Sequence, residues 1–176
     1  MPDIVTMAKG LTSSAVPLGA VGLRPSVSSY FDDHVFWGGL TYNSHPLALA
    51  AALATIRVYE EDGLIEHSKK MGEVMARHHR ELYDKHPSVG LVRNIGLFGI
   101  LELVRSRETM EPMAPFNGTS DEMKAIGKAL DERGLFTMIR WNGIMTNPPL
   151  CITEEQLGEG FAIIDDALSA ADASVA

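Results

Sequence analysis

Internal disulfides are excluded from this chain, because it carries a single cysteine, Cys151. One thiol in 176 residues suits a reducing compartment, so a cytoplasmic setting is expected. In Pro149-Leu150-Cys151-Ile152 the thiol reads as a small apolar group, with no histidine following it in a nucleophile pattern. Basic charge is scarce too. Lys plus Arg number 15 against 23 Asp plus Glu, a net charge of -8, and no basic stripe is interleaved with aromatics. That balance argues against a general nucleic-acid binder. The longest apolar run, Pro46 to Ile56, is alanine-rich and too short to span a bilayer, so no membrane partner is expected. No basic start followed by an apolar core opens the chain, so no secretory leader is expected. There is no internal repeat, and the only biased segment is a mild Ala/Ser tail after Leu168. His67, His78, His79 and His86 fall on or beside one helix without acids at metal spacing, so no metal is expected.

A hydrophobic content of 45% allows one good core and a second lobe. Asp3 to Met7 reads as the end of a strand, and Ala15 to Leu23 as another with weak alternation. Arg24-Pro25 opens a polar loop. Pro46 suits a first helical turn, and the helix from Leu47 to about Glu60 is apolar almost all round, which predicts burial. After Asp62-Gly63 a second helix runs from about Leu64 to Lys85. Its stripe is Leu64, Met71, Val74, Met75, His78 and Leu82, and its other face is charged. The period then changes. Val89 to Asn94 and Leu97 to Val104 read as strands, with a polar, proline-containing connection to Thr119. Ser120 or Thr119 caps a helix from Asp121 to Arg133, ended by Gly134. Phe136 to Arg140 and Ile144 to Asn147 make a strand pair turning at Asn142-Gly143. Thr153 to Gln156 is a capping box that starts a final helix to about Ala170.

Lys9 is the residue with the clearest chemical setting. The run Asp3-Ile4-Val5-Thr6-Met7-Ala8-Lys9-Gly10 delivers one lysine from an apolar strand onto a turn of small and hydroxyl residues, before Pro17-Leu18-Gly19-Ala20. Apolar surroundings disfavour an ammonium ion, and a neutral amine can form a Schiff base. An ordinary surface lysine at a strand-to-loop junction fits the same spacing. A second word follows in Trp37-Gly38-Gly39-Leu40-Thr41-Tyr42-Asn43-Ser44-His45-Pro46-Leu47-Ala48. There a hydroxyl and an amide beside glycines suit an oxyanion, or Thr41 serves only local backbone groups ahead of the helix.

These two words, in this order and spacing, resemble the class III (omega) aminotransferases, fold-type I pyridoxal phosphate enzymes. The resemblance covers Pro2 to about Leu168. It implies an α/β chain, the C-terminal part of a PLP-dependent transferase fold. Residues 1–62 would end the cofactor-binding large domain, 63–86 would be a linking helix, and 87–176 a small α/β domain. The family member it implies is more than twice this length. Its glycine-rich phosphate loop, its ring-stacking aromatic and its ring-nitrogen Asp would precede Asp3, and Met1 at the head of the first word suggests an engineered or mis-assigned start.

The resemblance also implies roles. Lys9 would hold pyridoxal 5'-phosphate as an internal aldimine and act as the general base. Thr41, with the Leu40 amide, would bind the cofactor phosphate of a neighbouring subunit, which implies a homodimer with shared active sites. Arg140, in Met138-Ile139-Arg140-Trp141, resembles the position of a substrate-carboxylate arginine. Arg93 matches a family position and reads as structural, and His45 matches the family's His-Pro pair. The stretch Leu97 to Val104 and the pair Glu111-Pro112 resemble the taurine–pyruvate and 4-aminobutyrate branch. The expected reaction is therefore transfer of an amino group from an omega-amino acid or amine to a 2-oxo acid such as pyruvate. Two other readings stay open: another class III reaction (aminomutase, racemase or decarboxylase), and a non-catalytic truncated fragment.

Overall fold

The computed structural model describes residues 1–175, and the chain divides into two units, Met1–Gly63 and Leu64–Ala176. In the first, strand β1 (Ile4–Met7) pairs antiparallel with β2 (Ala20–Leu23), from Ile4 opposite Leu23 to Met7 opposite Ala20. Arg24 closes this ribbon: its amide donates to the Asp3 carbonyl at 3.0 Å and its guanidinium meets the Asp3 carboxylate at 3.2 Å. The strand expected from Ala15 is confined to β2, because Ser13 and Ser14 hold left-handed backbone and Thr12 turns its hydroxyl onto the Val16 carbonyl at 2.6 Å. Arg24-Pro25 opens not a loop but a one-turn helix, α1 (Pro25–Ser28), with proline at its first position.

Helix α2 (Pro46–Glu61) follows and stops before Gly63 at φ +59°. Its predicted burial is corrected. Only Ala48 and Ala52 are buried, while Leu47, Leu49, Leu53, Ile56 and Val58 are exposed. A helix apolar on several faces needs neighbours on several faces, and a two-stranded ribbon with its loop supplies too little surface.

The second unit starts with α3 (Leu64–Lys85), which carries Met71, Val74, Met75, His79 and Leu82 into the core. His79, not His78, completes the stripe: Met71, Met75 and His79 repeat every fourth residue. The sheet is antiparallel, in the order β3 (Val89–Ile95), β4 (Phe98–Ser106), β7 (Gly143–Thr146), β6 (Ile139–Arg140). A short β5 (Glu111–Pro112), absent from the sequence-based expectation, pairs with the far end of β4. Proline is tolerated there because an edge strand needs no donor on its open side.

Helices α4 (Asp121–Glu132) and α5 (Glu154–Asp172) complete the unit. The Ser120 hydroxyl accepts from the Met123 amide, and Thr153 and Gln156 form the reciprocal capping box. Leu101 and Leu103 from β4, Ile144 from β7, Met123, Ile126 and Leu130 from α4, and Leu157, Phe161, Ile164 and Leu168 from α5 join the α3 residues in one core. Gly72 lets α3 cross the β3–β4 turn closely: a Cβ there would stand 2.5 Å from the Gly96 Cα. The Asn94 amide staples this crossing, donating to the carbonyls of Gly72 and Gly96.

The end of α3 is fastened twice. Arg107 donates to the Tyr83, His86 and Val89 carbonyls and lies 4.1 Å from the Tyr83 ring centroid, capping the helix's last acceptors. His86, buried, sits between Asp165 Oδ1 at 2.5 Å and Asp172 Oδ2 at 2.6 Å, and Ser88 donates to Asp172 at 2.6 Å.

Candidate active site

The lysine loop is built from strand, turn and helix together. Ala8 is extended, and the chain then turns into a single 3-10 turn, Lys9–Leu11. Lys9 itself takes φ +53°, a left-handed conformation uncommon for a side chain with a Cβ. Such strain persists only where the surroundings enforce it. Here the Thr12 amide donates to the Lys9 carbonyl, and the Thr12 hydroxyl locks the loop onto Val16. From α2, the Tyr59 hydroxyl donates to the Gly10 carbonyl at 2.9 Å. Lys9 is exposed, and among the described residues its ammonium group has neither a carboxylate nor a hydrogen-bond partner. The apolar setting expected around it is absent from this unit, since Ile4, Val5 and Met7 of β1 are exposed as well.

The Leu40–Thr41 turn stands just ahead of α2. The Asn43 amide donates to the Leu40 carbonyl at 2.9 Å, Ser44 is left-handed at φ +55°, and Pro46 then starts the helix. Leu40 and Thr41 are exposed, and among the described residues their amides and the Thr41 hydroxyl make no hydrogen bond. A Cβ on Gly39 would meet nothing within 4 Å, so the approach to these donors is open. A hydroxyl with two unengaged amides suits a phosphate oxygen. His45 places its backbone, not its ring, at the helix start.

Arg140 belongs to the second unit, on the last residue of β6. Strand pairing puts Arg140 opposite Gly143, so the turn is Trp141-Asn142, one residue earlier than expected. Trp141 takes φ +56°, because the Asn142 carbonyl accepts from the Leu103 amide and its side-chain amide donates to the Leu103 carbonyl. Arg93 pairs with Glu102 across the β3–β4 ladder at 2.7 Å. No group of three or more His, Cys, Asp or Glu among the described residues is placed to hold a metal ion.

Tyr59 and Trp141 carry no expected role in the sequence reading. Tyr59 acts through a backbone carbonyl nearly fifty positions away, which leaves no local signal. Trp141 had one, an aromatic directly after a candidate arginine.

The aminotransferase class-III family model matches residues 1–168. The chain belongs to the class III aminotransferase family. It is 33% identical over 96% of its length to ethanolamine-phosphate phospho-lyase homolog 1 of Caenorhabditis elegans, covering 35% of that protein. It is 32% identical over 99% of its length to putrescine–pyruvate aminotransferase of Pseudomonas aeruginosa, covering 38% of it. Among solved structures, taurine:2-oxoglutarate aminotransferase from Bifidobacterium kashiwanohense, in complex with PLP and glutamate, matches the whole chain. That match has a TM-score of 0.91 and 39% identity and covers 40% of the structure. This class III chain thus spans well under half the length of these relatives. Its mixed α/β architecture is that of part of a fold-type I transferase, and no helix among the described residues is long and apolar enough to cross a membrane.

Proposed function

We propose that this chain carries the cofactor-bearing lysine of a pyridoxal 5'-phosphate-dependent aminotransferase, and that the protein moves an amino group from an omega-amino acid or amine to a 2-oxo acid, pyruvate among them. The observation that carries this reading is Lys9: an unpartnered amine held in left-handed backbone on a loop tied to α2. The residues present fit the cofactor, with one amine free to attach its aldehyde and a hydroxyl with two amides free to receive its phosphate.

When bound, pyridoxal phosphate supplies the electron sink for the reaction. Lys9 Nζ would hold its aldehyde and, once displaced by the amino substrate, would carry the proton from the substrate's amino-bearing carbon to the cofactor's C4′. Thr41 and the Leu40 amide hold the phosphate across a homodimer interface. The exposed apolar residues of β1 and α2 support this assembly, since such surface is normally covered by a partner or a further part of the protein. Arg140 receives the substrate carboxylate through its forked donors. In this reading residues 1–62 end the cofactor-binding domain, 63–86 link, and 87–176 form the small domain. A cytoplasmic setting accords with the single cysteine.

Borohydride reduction of the protein equilibrated with pyridoxal phosphate, followed by peptide mapping, tests the reading. A phosphopyridoxyl label concentrated on Lys9 and displaced by amino substrates is expected. Label spread evenly over Lys69, Lys70, Lys124 and Lys128 would overturn it.

A further inference from the structure

Arg140 is exposed, and among the described residues no carboxylate or carbonyl holds its guanidinium. Its Cζ stands 5.0 Å from the centroid of the Trp141 ring, within the ~6 Å reach of a cation–π contact. Trp141 in turn packs on Phe116, with ring centroids 4.3 Å apart and planes inclined by 47°. Phe116 is itself 76% exposed, so core burial does not explain its place.

The backbone sharpens the point. Trp141 sits at φ +56°, where a bulky side chain is an outlier and glycine is at ease. The two hydrogen bonds between Asn142 and Leu103 enforce that turn, and they involve no atom of the tryptophan ring. Those hydrogen bonds therefore do not require an indole, and the indole meets the guanidinium and Phe116. A cation held over a ring face keeps its five N–H donors free, whereas a salt bridge would occupy part of the fork.

We propose that Trp141, backed by Phe116, is a positioning residue that holds Arg140 with its fork unoccupied for the terminal oxyanion group of a small amino-acid substrate. This rests on the reading of Arg140 as the substrate-binding arginine.

The test uses nitrogen-15 NMR of the arginine Nε–H resonances in the whole chain, titrated with propionate. Propionate is expected to shift Arg140 selectively and saturably. Trp141→Gly, which accepts the turn's φ without strain, should weaken that binding about fivefold, equivalent to about 1 kcal/mol at ~1.4 kcal/mol per tenfold. Its melting temperature should stay level or rise, which a merely structural tryptophan would not allow. Trp141→Phe, which keeps an aromatic face, should recover most of the affinity. If propionate moves Arg140 no more than Arg93 and Arg133, the substrate-binding reading of Arg140 fails and this inference fails with it. If propionate selects Arg140 but Trp141→Gly leaves the affinity unchanged, the positioning role alone is overturned.

Discussion

The Tyr59 hydroxyl donates to the Gly10 carbonyl at 2.9 Å, joining the last full turn of α2 to the residue directly after Lys9. The helix that begins beside Thr41 therefore also restrains the lysine loop at its far end. The two motif words of the sequence are mechanically connected through one side chain.

Tyr59→Phe removes this tie and nothing else. Deuterium uptake by residues 9–14 should rise, while the second unit keeps its protection. The stability loss should be about 0.5–1.5 kcal/mol, the usual worth of one hydrogen bond. Unchanged exchange in the loop would show that the Thr12 contacts suffice to hold it.

Lys9 carries backbone strain that can be separated from its chemistry. Lys9→Gly should be as stable as the parent or more stable by up to about 1 kcal/mol, since glycine accepts φ +53° freely. Lys9→Ala should not share that gain. Both should lose the borohydride-trapped label at this position. Thermal melts with peptide mapping check the pair, and equal stability of the two variants would place the strain elsewhere.

His86 is held between two carboxylates in a nearly water-free position. His86→Ala leaves Asp165 and Asp172 facing each other without a donor between them. The expected loss is about 1–3 kcal/mol, the cost of leaving buried hydrogen-bonding groups unpaired. Urea titration measures it, and a loss below about 1 kcal/mol would mean that Lys85 on Asp165 and Ser88 on Asp172 hold the cluster without the imidazole.

Acid sensitivity should arise in two steps. Burial, with a contribution from neighbouring His78, holds His79 down at about 4, below its ordinary 6.5. The unfolded chain then binds the extra proton first, so stability falls as pH drops from about 6.5 to about 4 and levels off below that. Glu122 is held down at about 2, first by its hydrogen bonds from Arg105, then by its own amide and Ser120. Its stabilisation is complete above about 4.5 and is lost as pH falls toward about 2. His79→Leu should flatten the upper window and Glu122→Gln the lower. Denaturation midpoints against pH would show both, and a single slope common to all three proteins would contradict the assignment.

Much of the second unit was readable in advance. The bounds of α3 match the sequence reading at both ends, and the caps at Ser120 and Thr153 act where their residue types predict. These are local signals, each decided within a few residues. The words around Lys9, Thr41 and Arg140 are local signals too, but they do not fix the backbone conformations found there. The left-handed backbone at Lys9 and Trp141 belongs to residue types that do not prefer it and is imposed by hydrogen bonds to Thr12, Tyr59 and Leu103. The exposure of α2 was misjudged for a related reason. Its composition says that it wants cover on several sides, not that its own unit can supply it.

The sequence by itself determined the family, the order of the longer elements, and where the helices of the second unit begin. Periodicity, capping and motif spacing are properties of neighbouring residues, and they survive without a fold. Tertiary structure decided that His79 rather than His78 enters the core, that β5 joins the sheet, that the hairpin turns at Trp141-Asn142, and that Tyr59 reaches Gly10. Each depends on contacts between segments far apart in the chain, and only the packed molecule brings those segments together.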